Sequence, residues 1–208
     1  MDVLKTFFAV CLTSVISETA NATQFYVSTT GSDSAAGTSA SPWRTLQHAA
    51  DAVGAGDNVN VLPGSYAGFD LRHSGTAAAP ISFSAQPGVV INAASQVRQR
   101  NGVFLDGINL EDASYVVVDG FSISGMPEAG VRSVGDEDNP AKFVTVRHVT
   151  ASNNGEWGIF PGTWMICLSN PTSPRAPWIS TGSMSQTAVI DRSFATIFRS
   201  IITTMAFT

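Results

Sequence analysis

Between Tyr115 and Phe160 apolar and polar residues alternate in short runs, and the same runs occur twice, 28 positions apart. Tyr115-Val-Val-Val-Asp-Gly-Phe-Ser-Ile-Ser-Gly125 returns as Phe143-Val-Thr-Val-Arg-His-Val-Thr-Ala-Ser-Asn153, and Gly130-Val131 is matched by Gly158-Ile159. In the second copy Val144 and Val146 alternate with Thr145 and Arg147, and Val149 and Ala151 alternate with Thr150 and Ser152. Alternation with a period of two marks a strand with one apolar face, so each copy predicts two short strands joined by a bend at Arg147-His148. One such unit cannot bury its apolar face alone. Stacked units do, with Val116 over Val144, Val118 over Val146 and Phe121 over Val149. The pattern predicts an all-β chain, a solenoid of the parallel β-helix type.

Upstream, Gln24 to Ser28 reads as a strand, and Thr30 to Ser41 as a loop of small turn formers. Thr45 can N-cap a short helix in which Leu46, Ala49, Ala50 and Val53 share one face, ended by Gly54 and Gly56. A helix placed there covers the open apolar end of a solenoid. Asp57 to Leu62 predicts the first rung strand, turned by Pro63-Gly64, and Ile81–Ala85 and Val89–Ala93 predict the next two. Segment 94–114 reads as a looser, protruding loop with a short strand at Gly102–Leu105.

Composition narrows the class. Of 208 residues 44% are hydrophobic and only 13% charged, which excludes a disordered chain and leaves Ser, Thr, Asn and Gly to face water. The net charge of −5, with no basic stripe, argues against a nucleic-acid partner. Lys5 precedes the apolar run Thr6–Ile16, and Ala20-Asn21-Ala22 supplies a small-x-small cleavage pattern. Residues 1–22 therefore read as a secretory signal, too short to span a bilayer, that sends the chain outside the cell or to a periplasm; a buried N-terminal strand or helix is the alternative. The cysteines, Cys11 and Cys167, leave no internal disulfide after cleavage, so the core alone must hold the fold. A monomer with no membrane span is expected.

Four stretches carry a resemblance: Phe25-Tyr-Val-Ser-Thr-Thr-Gly-Ser-Asp33, Gly37-Thr-Ser-Ala-Ser-Pro-Trp-Arg-Thr-Leu-Gln47, Ala55-Gly-Asp-Asn-Val-Asn-Val-Leu-Pro-Gly-Ser-Tyr66 and Ser74-Gly-Thr-Ala-Ala-Ala-Pro-Ile81. With Tyr115–Phe121 and Asn154–Phe160 they resemble secreted right-handed parallel β-helix proteins related to pectate lyases, over residues 24–161. The resemblance implies a right-handed β-helix domain from residue 23 to 162 that acts on an extracellular glycan. It leaves the chemistry open, because this scaffold also hosts glycoside hydrolases and non-catalytic surface proteins.

After Gly162 the pattern breaks. Residues 163–208 hold one acidic residue, Asp191, against thirteen between 23 and 162. Reading the genetic code one base out of frame forces Asp at Trp164-Met165, at Met165-Ile166 and at Trp178-Ile179, and Gly at Met205-Ala206. The hidden frame can spell LDDLLVE near residues 163–170, a rung of the same style. The tail thus reads as out-of-frame translation of a longer lyase-like protein, which makes this chain an inactive N-terminal fragment. The alternative is a genuine cap with Phe194, Ile197, Ile201 and Ile202 over the last rung.

A polyuronate lyase removes the proton next to a carboxylate. It needs a cationic base and a charge, by resemblance Ca²⁺ held by carboxylates, to neutralise the substrate acid. Asp136, Glu137 and Asp138 form the densest acidic cluster and are the candidate metal ligands, although a solvated turn is the commonplace role of such a run. Lys142, Arg147 and Trp157 are the candidate contacts to an acidic polysaccharide, against ordinary roles as surface cations and packing. Tyr115 is a further candidate for ring stacking, while Asp119 and His148 read as bend residues. His48 and His73 lack partners at zinc-ligand spacing, no nucleophile or nucleotide motif is present, and no catalytic residue is assigned. The expected function is that of a pectate or polyuronate lyase-like protein. The alternatives are a non-catalytic glycan-binding or surface protein and a β-helix glycoside hydrolase.

Overall fold

The computed structural model describes residues 22–95, 106–136 and 141–160, and the backbone of 164–168. In chain order the elements are β1 (Gln24–Val27), α1 (Leu46–Ala52), β2 (Asn58–Val61), β3 (Gly64–Ala67), β4 (Phe69–Leu71), β5 (Ile81–Ala85), β6 (Val89–Ala93) and β7 (Ile108–Glu111). There follow β8 (Val116–Asp119), β9 (Ser122–Ser124), β10 (Ala129–Val134), β11 (Lys142–Arg147), β12 (Thr150–Ser152), β13 (Trp157–Phe160) and β14 (Trp164–Leu168).

These strands form three parallel sheets around one core. The first runs β1-β2-β5-β8-β11-β14, the second β3-β6-β9-β12 and the third β4-β7-β10-β13. The chain visits the sheets in turn, so the fold is a parallel β-helix, as the alternation predicts. Val116 pairs with Val144 and Val118 with Val146 in the first sheet. Phe69, Ile108, Val131 and Ile159 make one inward column of the third sheet. All but Ile159 are fully buried, and the Phe69 and Phe83 rings stack 4.5 Å apart across the interior.

Three expectations need correction. Each rung has three strands, not two: β10 and β13 complete the rungs that begin at β8 and β11. Gly64 opens β3 rather than only turning the chain after β2, and β4 follows it. Segment 94–114 contains β7, paired to β4 and β10, and is not simply a loop; the strand expected at Gly102–Leu105 lies outside the described residues. β14 also carries the first sheet past the break in the sequence pattern, pairing in parallel with β11. Residues 1–21 of the segment 1–22 that reads as a signal, and the tail beyond Leu168, lie outside the described residues.

The capping helix forms as its sequence demands. Thr45 caps α1 by accepting from the His48 N–H at 3.1 Å, and Asp33 accepts from the N–H groups of Arg44 and Thr45 at 2.9 Å each. Burial pushes the Asp33 carboxyl up, but the hydrogen bonds from Thr45 and Arg44 outweigh it and hold the group below its ordinary value. Leu46, Ala49 and Ala50 are buried. On the other side Gln47 donates to the Asp70 carbonyl at 3.0 Å and accepts from the Asp70 N–H at 2.8 Å. One side-chain amide thereby does for the open edge of β4 what a further strand would do.

The rung repeat extends to backbone conformation. Left-handed φ angles recur 28 residues apart, at Gly120 (82°) and His148 (52°), Gly125 (78°) and Asn153 (54°), and Tyr115 and Phe143 (56° each). At Gly120 an added Cβ would stand 2.5 Å from the Ala85 carbonyl, so that turn admits only glycine. For residues with a Cβ this region costs roughly 1–2 kcal/mol each. The Tyr115 and Phe143 rings stack at 4.7 Å and 16°, a contact that contributes about 0.5–1.5 kcal/mol. That is too little to offset two strained backbones.

Ile108 is fully buried between Phe69 and Val131. Ile108→Ala is expected to cost about 2–5 kcal/mol, read as a lower denaturation midpoint. A loss under about 1 kcal/mol would mean that this column does not hold the rungs together.

Candidate functional site

Where β4, β7 and β10 bury alternate residues inward, the residues between them face out and fall into register. Asp70 pairs with Asn109 and Asn109 with Arg132, and Phe160 on β13 continues the row. Charged groups on the outer face of a solenoid are ordinarily wet, yet Asp70, Asn109 and Glu111 are almost completely buried, as is Asp106 just before β7.

The polar groups of this face bond to one another. Asn109 Nδ2 donates to Asp70 Oδ2 at 2.6 Å, Arg72 Nε reaches Asp70 Oδ1 at 2.7 Å, and Arg72 Nη2 reaches Glu111 Oε2 at 2.6 Å. The hydrogen bond to Asp70, opposed by burial and aided by the charges of Asp70, Glu111 and Asp112, holds the Arg72 guanidinium more firmly protonated than a free arginine. A cavity of about 240 Å³ lined by Gln47, Asp51, Asp70, Arg72 and His73 opens beside this end of the row. Two buried atoms in adjacent rungs of this row, Asn109 Oδ1 and Arg132 Nη1, have no hydrogen-bond partner among the described residues. Such a group costs about 1–3 kcal/mol when left unmade. An unfilled acceptor and an unfilled donor in one row suit a hydroxyl, which both donates and accepts.

Beside Arg132 lies a second group of acids. Asp106 Oδ1 accepts from the Ala129 N–H at 2.9 Å, and Asp106 Oδ2 stands 3.8 Å from Arg132 Nε. Glu128 and Glu156 occupy equivalent places on neighbouring rungs, with the Glu156 N–H donating to the Glu128 carbonyl at 2.9 Å. Burial, then repulsion from Asp106, pushes the Glu128 carboxyl up; Arg132 opposes the shift and Glu156 adds to it.

The fold can now be set beside known proteins. A family model described as "Pel9A-like, right handed beta helix region" matches residues 25–164. The chain belongs to this family. A Bacillus subtilis (strain 168) protein described as "Uncharacterized protein YwoF" is 33% identical over 103 residues, 43% of this chain and 22% of that protein. Among solved structures, a rhamnogalacturonan lyase overlays with a TM-score of 0.47 at 21% identity, covering 71% of this chain and 37% of that one. A GH136 lacto-N-biosidase from Eubacterium ramulus overlays with a TM-score of 0.51 at 17% identity, covering 72% and 31%. At 17% identity the likeness to the biosidase is one of fold, and the chain spans well under half the length of each of these proteins.

On this Pel9A-like scaffold the residues singled out by the sequence fall on different sides. Trp157 opens β13 of the third sheet, half-buried, with its ring 4.7 Å from that of Phe160. Asp136 follows β10 by two residues, and its N–H donates to Asp112 Oδ1 at 3.3 Å. Glu137 and Asp138 lie outside the described residues. Lys142 and Arg147 sit at the two ends of β11 in the first sheet, away from that face. There Asp119 accepts from Arg147 Nε at 2.8 Å and meets His148 Nδ1 at 2.7 Å, so these bend residues are joined into one cluster between rungs.

Calcium takes six to eight oxygen ligands. Among the described residues no three Asp, Glu, His or Cys side chains gather as the start of such a shell. Among the described residues, too, no helix is long and apolar enough to cross a membrane.

Asp70, Asn109 and Arg132 escape a reading by periodicity because their strands are short, only Phe69–Leu71 and Ile108–Glu111 for the first two. The available signal is a repeated triplet, Phe69-Asp-Leu71, Ile108-Asn-Leu110 and Val131-Arg-Ser133, with a polar residue always in the middle.

Because the Glu128 carboxyl is raised in the fold, its ionised form is disfavoured there, and stability tied to it is lost as pH rises from the ordinary value of 4.5. Thermal melts across that window are expected to fall less steeply for Glu128→Gln than for the parent. Parallel curves would remove Glu128 from the acidic group.

Proposed function

We propose that this chain is part of a secreted, carbohydrate-active β-helix that holds an acidic polysaccharide along the outer face of its third sheet and serves its β-elimination. One observation carries the proposal: among the described residues, Asn109 Oδ1 and Arg132 Nη1 lie unpartnered in neighbouring rungs of one outward row. Sugar hydroxyls have the donor and the acceptor that these two groups lack, and a uronate carboxylate suits the forked guanidinium of Arg132. Trp157 and Phe160, on the next rung, add aromatic surface for a sugar ring. The resemblance to pectate-lyase-related proteins supports the choice of an acidic substrate. The apolar run Thr6–Ile16 followed by Ala20-Asn-Ala22 supports export.

In β-elimination the proton next to the uronate carboxylate passes to a base. Its C–H electron pair becomes the new double bond, the glycosidic C–O bond breaks, and the departing oxygen takes up a proton. Arg132 fits the part of that step that neutralises the carboxylate. Calcium at the Asp136-Glu137-Asp138 loop belongs to the proposal and is tested by its removal. With 163–208 read out of frame, this chain binds the polymer and does not cleave it.

A second reading has an observation of its own. Glu128, raised by burial and by Asp106, is a carboxyl held toward its protonated form beside a carboxylate, the pairing a glycoside hydrolase uses as acid and base.

The test incubates polygalacturonate and related pectic polymers with the full chain and with a version whose frame is restored after residue 162, with and without calcium. The expected outcome is polymer binding by both and calcium-dependent unsaturated uronide absorbance from the restored version alone. Reducing ends without unsaturated product favour the hydrolase, and binding without any product from either version favours a binding protein. Absence of binding by both contradicts the proposal.

A further inference from the structure

We infer that the outer face of the first sheet is a second glycan-binding surface, on which Tyr115 and Phe143 form a stacking platform and Lys142 and Arg147 anchor an acidic chain. The inference rests on the proposal that the ligand is an acidic polysaccharide. It concerns a different sheet from the row around Asn109 and Arg132.

Three observations meet here. Tyr115 and Phe143 hold equivalent positions on consecutive rungs, both with φ at 56°. At the other left-handed positions of these rungs and of the turn before them the residues are glycine, Asp112, His148 and Asn153, which tolerate the conformation or bond locally. Only at 115 and 143 do both rungs place a bulky aromatic in the strained region, and the contact between the rings does not repay that strain. An aromatic kept at a cost to the fold points to a use outside it.

Second, the platform is open. The rings stack at 4.7 Å with 16° between their planes, and Phe143, 54% exposed, is the large hydrophobic residue left facing solvent among the described residues. The flat apolar face of a pyranose stacks on such a surface much as one aromatic stacks on another.

Third, the charges suit an anion. Lys142 is the neighbour of Phe143, and Arg147 and His148 stand at the far end of the same strand, with Asp119 as the acid that orients them. In a chain of net charge −5 this strand carries two of the eleven Lys and Arg residues, one at each end. Between the two ends Thr145 is the outward residue of β11, and across the sheet its register runs through Val117 to Ser82 and Asn58, while that of Arg147 runs through Asp119 to Ser84 and Asn60, so side chains with hydrogen-bonding groups line most of the strip. A polymer lying along β11 meets the rings and Lys142 at one end and Arg147 at the other.

The test measures polygalacturonate binding by the full chain, by Phe143→Asn and Tyr115→Gly, which suit a left-handed backbone, and by Arg132→Gln on the third sheet, with melting temperatures for all. Phe143→Asn is expected to bind about tenfold more weakly while melting at or above the parent temperature. Parental affinity in Phe143→Asn and Tyr115→Gly together with loss in Arg132→Gln overturns the first-sheet surface and leaves the third-sheet proposal standing. A fall in melting temperature for both aromatic variants with affinity unchanged makes the rings purely structural and overturns it as well. No affinity in the parent chain removes the ligand class and both surfaces with it.

Discussion

In-register stacking of parallel strands is the constraint on which every other feature of this molecule depends. Each rung is too short to bury its own apolar face, so stability is shared between neighbours through columns such as Ile81, Val116 and Val144, all fully buried. A slip by one residue would turn every column toward water. The same rule dictates what the outside looks like: when inward residues are locked in columns, the residues between them form rows. Glycine takes part where rungs approach most closely. A Cβ on Gly107 would stand 2.7 Å from the Gly130 carbonyl, and one on Gly130 would stand 2.6 Å from that of Gly158.

The two outer faces that follow from this arrangement differ in chemistry. The third sheet gathers Asp70, Asn109, Glu111 and Arg132, with Asp106 and Glu128 beside them, at positions that periodicity alone would leave to solvent. Such a buried polar row is costly, and a chain with only 13% charged residues has few such groups to spare. The first sheet carries its cations and aromatics near the strand ends, with partly exposed residues such as Val117 and Thr145 between them. Glycans are long, flat and rich in hydroxyls, and rows running along a solenoid axis match them more naturally than a single deep pocket does.

Much of the fold was legible in the sequence. The 28-residue offset aligned β8 with β11 and β9 with β12, and Thr45 with its apolar partners located α1. The strands at Asn58–Val61, Ile81–Ala85 and Val89–Ala93 were legible too, but their register was not, because rung lengths differ: Asn58 pairs with Ser82, 24 residues on, and Ile81 with Val116, 35 residues on. The third strand of most rungs hid because three or four residues cannot show a period, and the face that carries most buried charge hid with it. Asp119 and His148 read as bend residues and sit at the bend, but their mutual bond follows only from stacking one rung on the next. The acids at 136–138 stood out by density, whereas Asp70, Asn109 and Arg132 act as a group only through register and are scattered over 63 positions of sequence.

Cross-linking across the first sheet tests that register most directly. Val117 and Thr145 are outward partners on neighbouring strands, where Cα atoms lie about 4.8 Å apart and within disulfide range. A Val117→Cys, Thr145→Cys double variant oxidised under mild conditions should give one peptide pair linking these two positions by mass spectrometry, with the fold intact. Failure of the pair to cross-link, alongside ready cross-linking of a variant shifted by one residue, would contradict the stacked register and every row built on it.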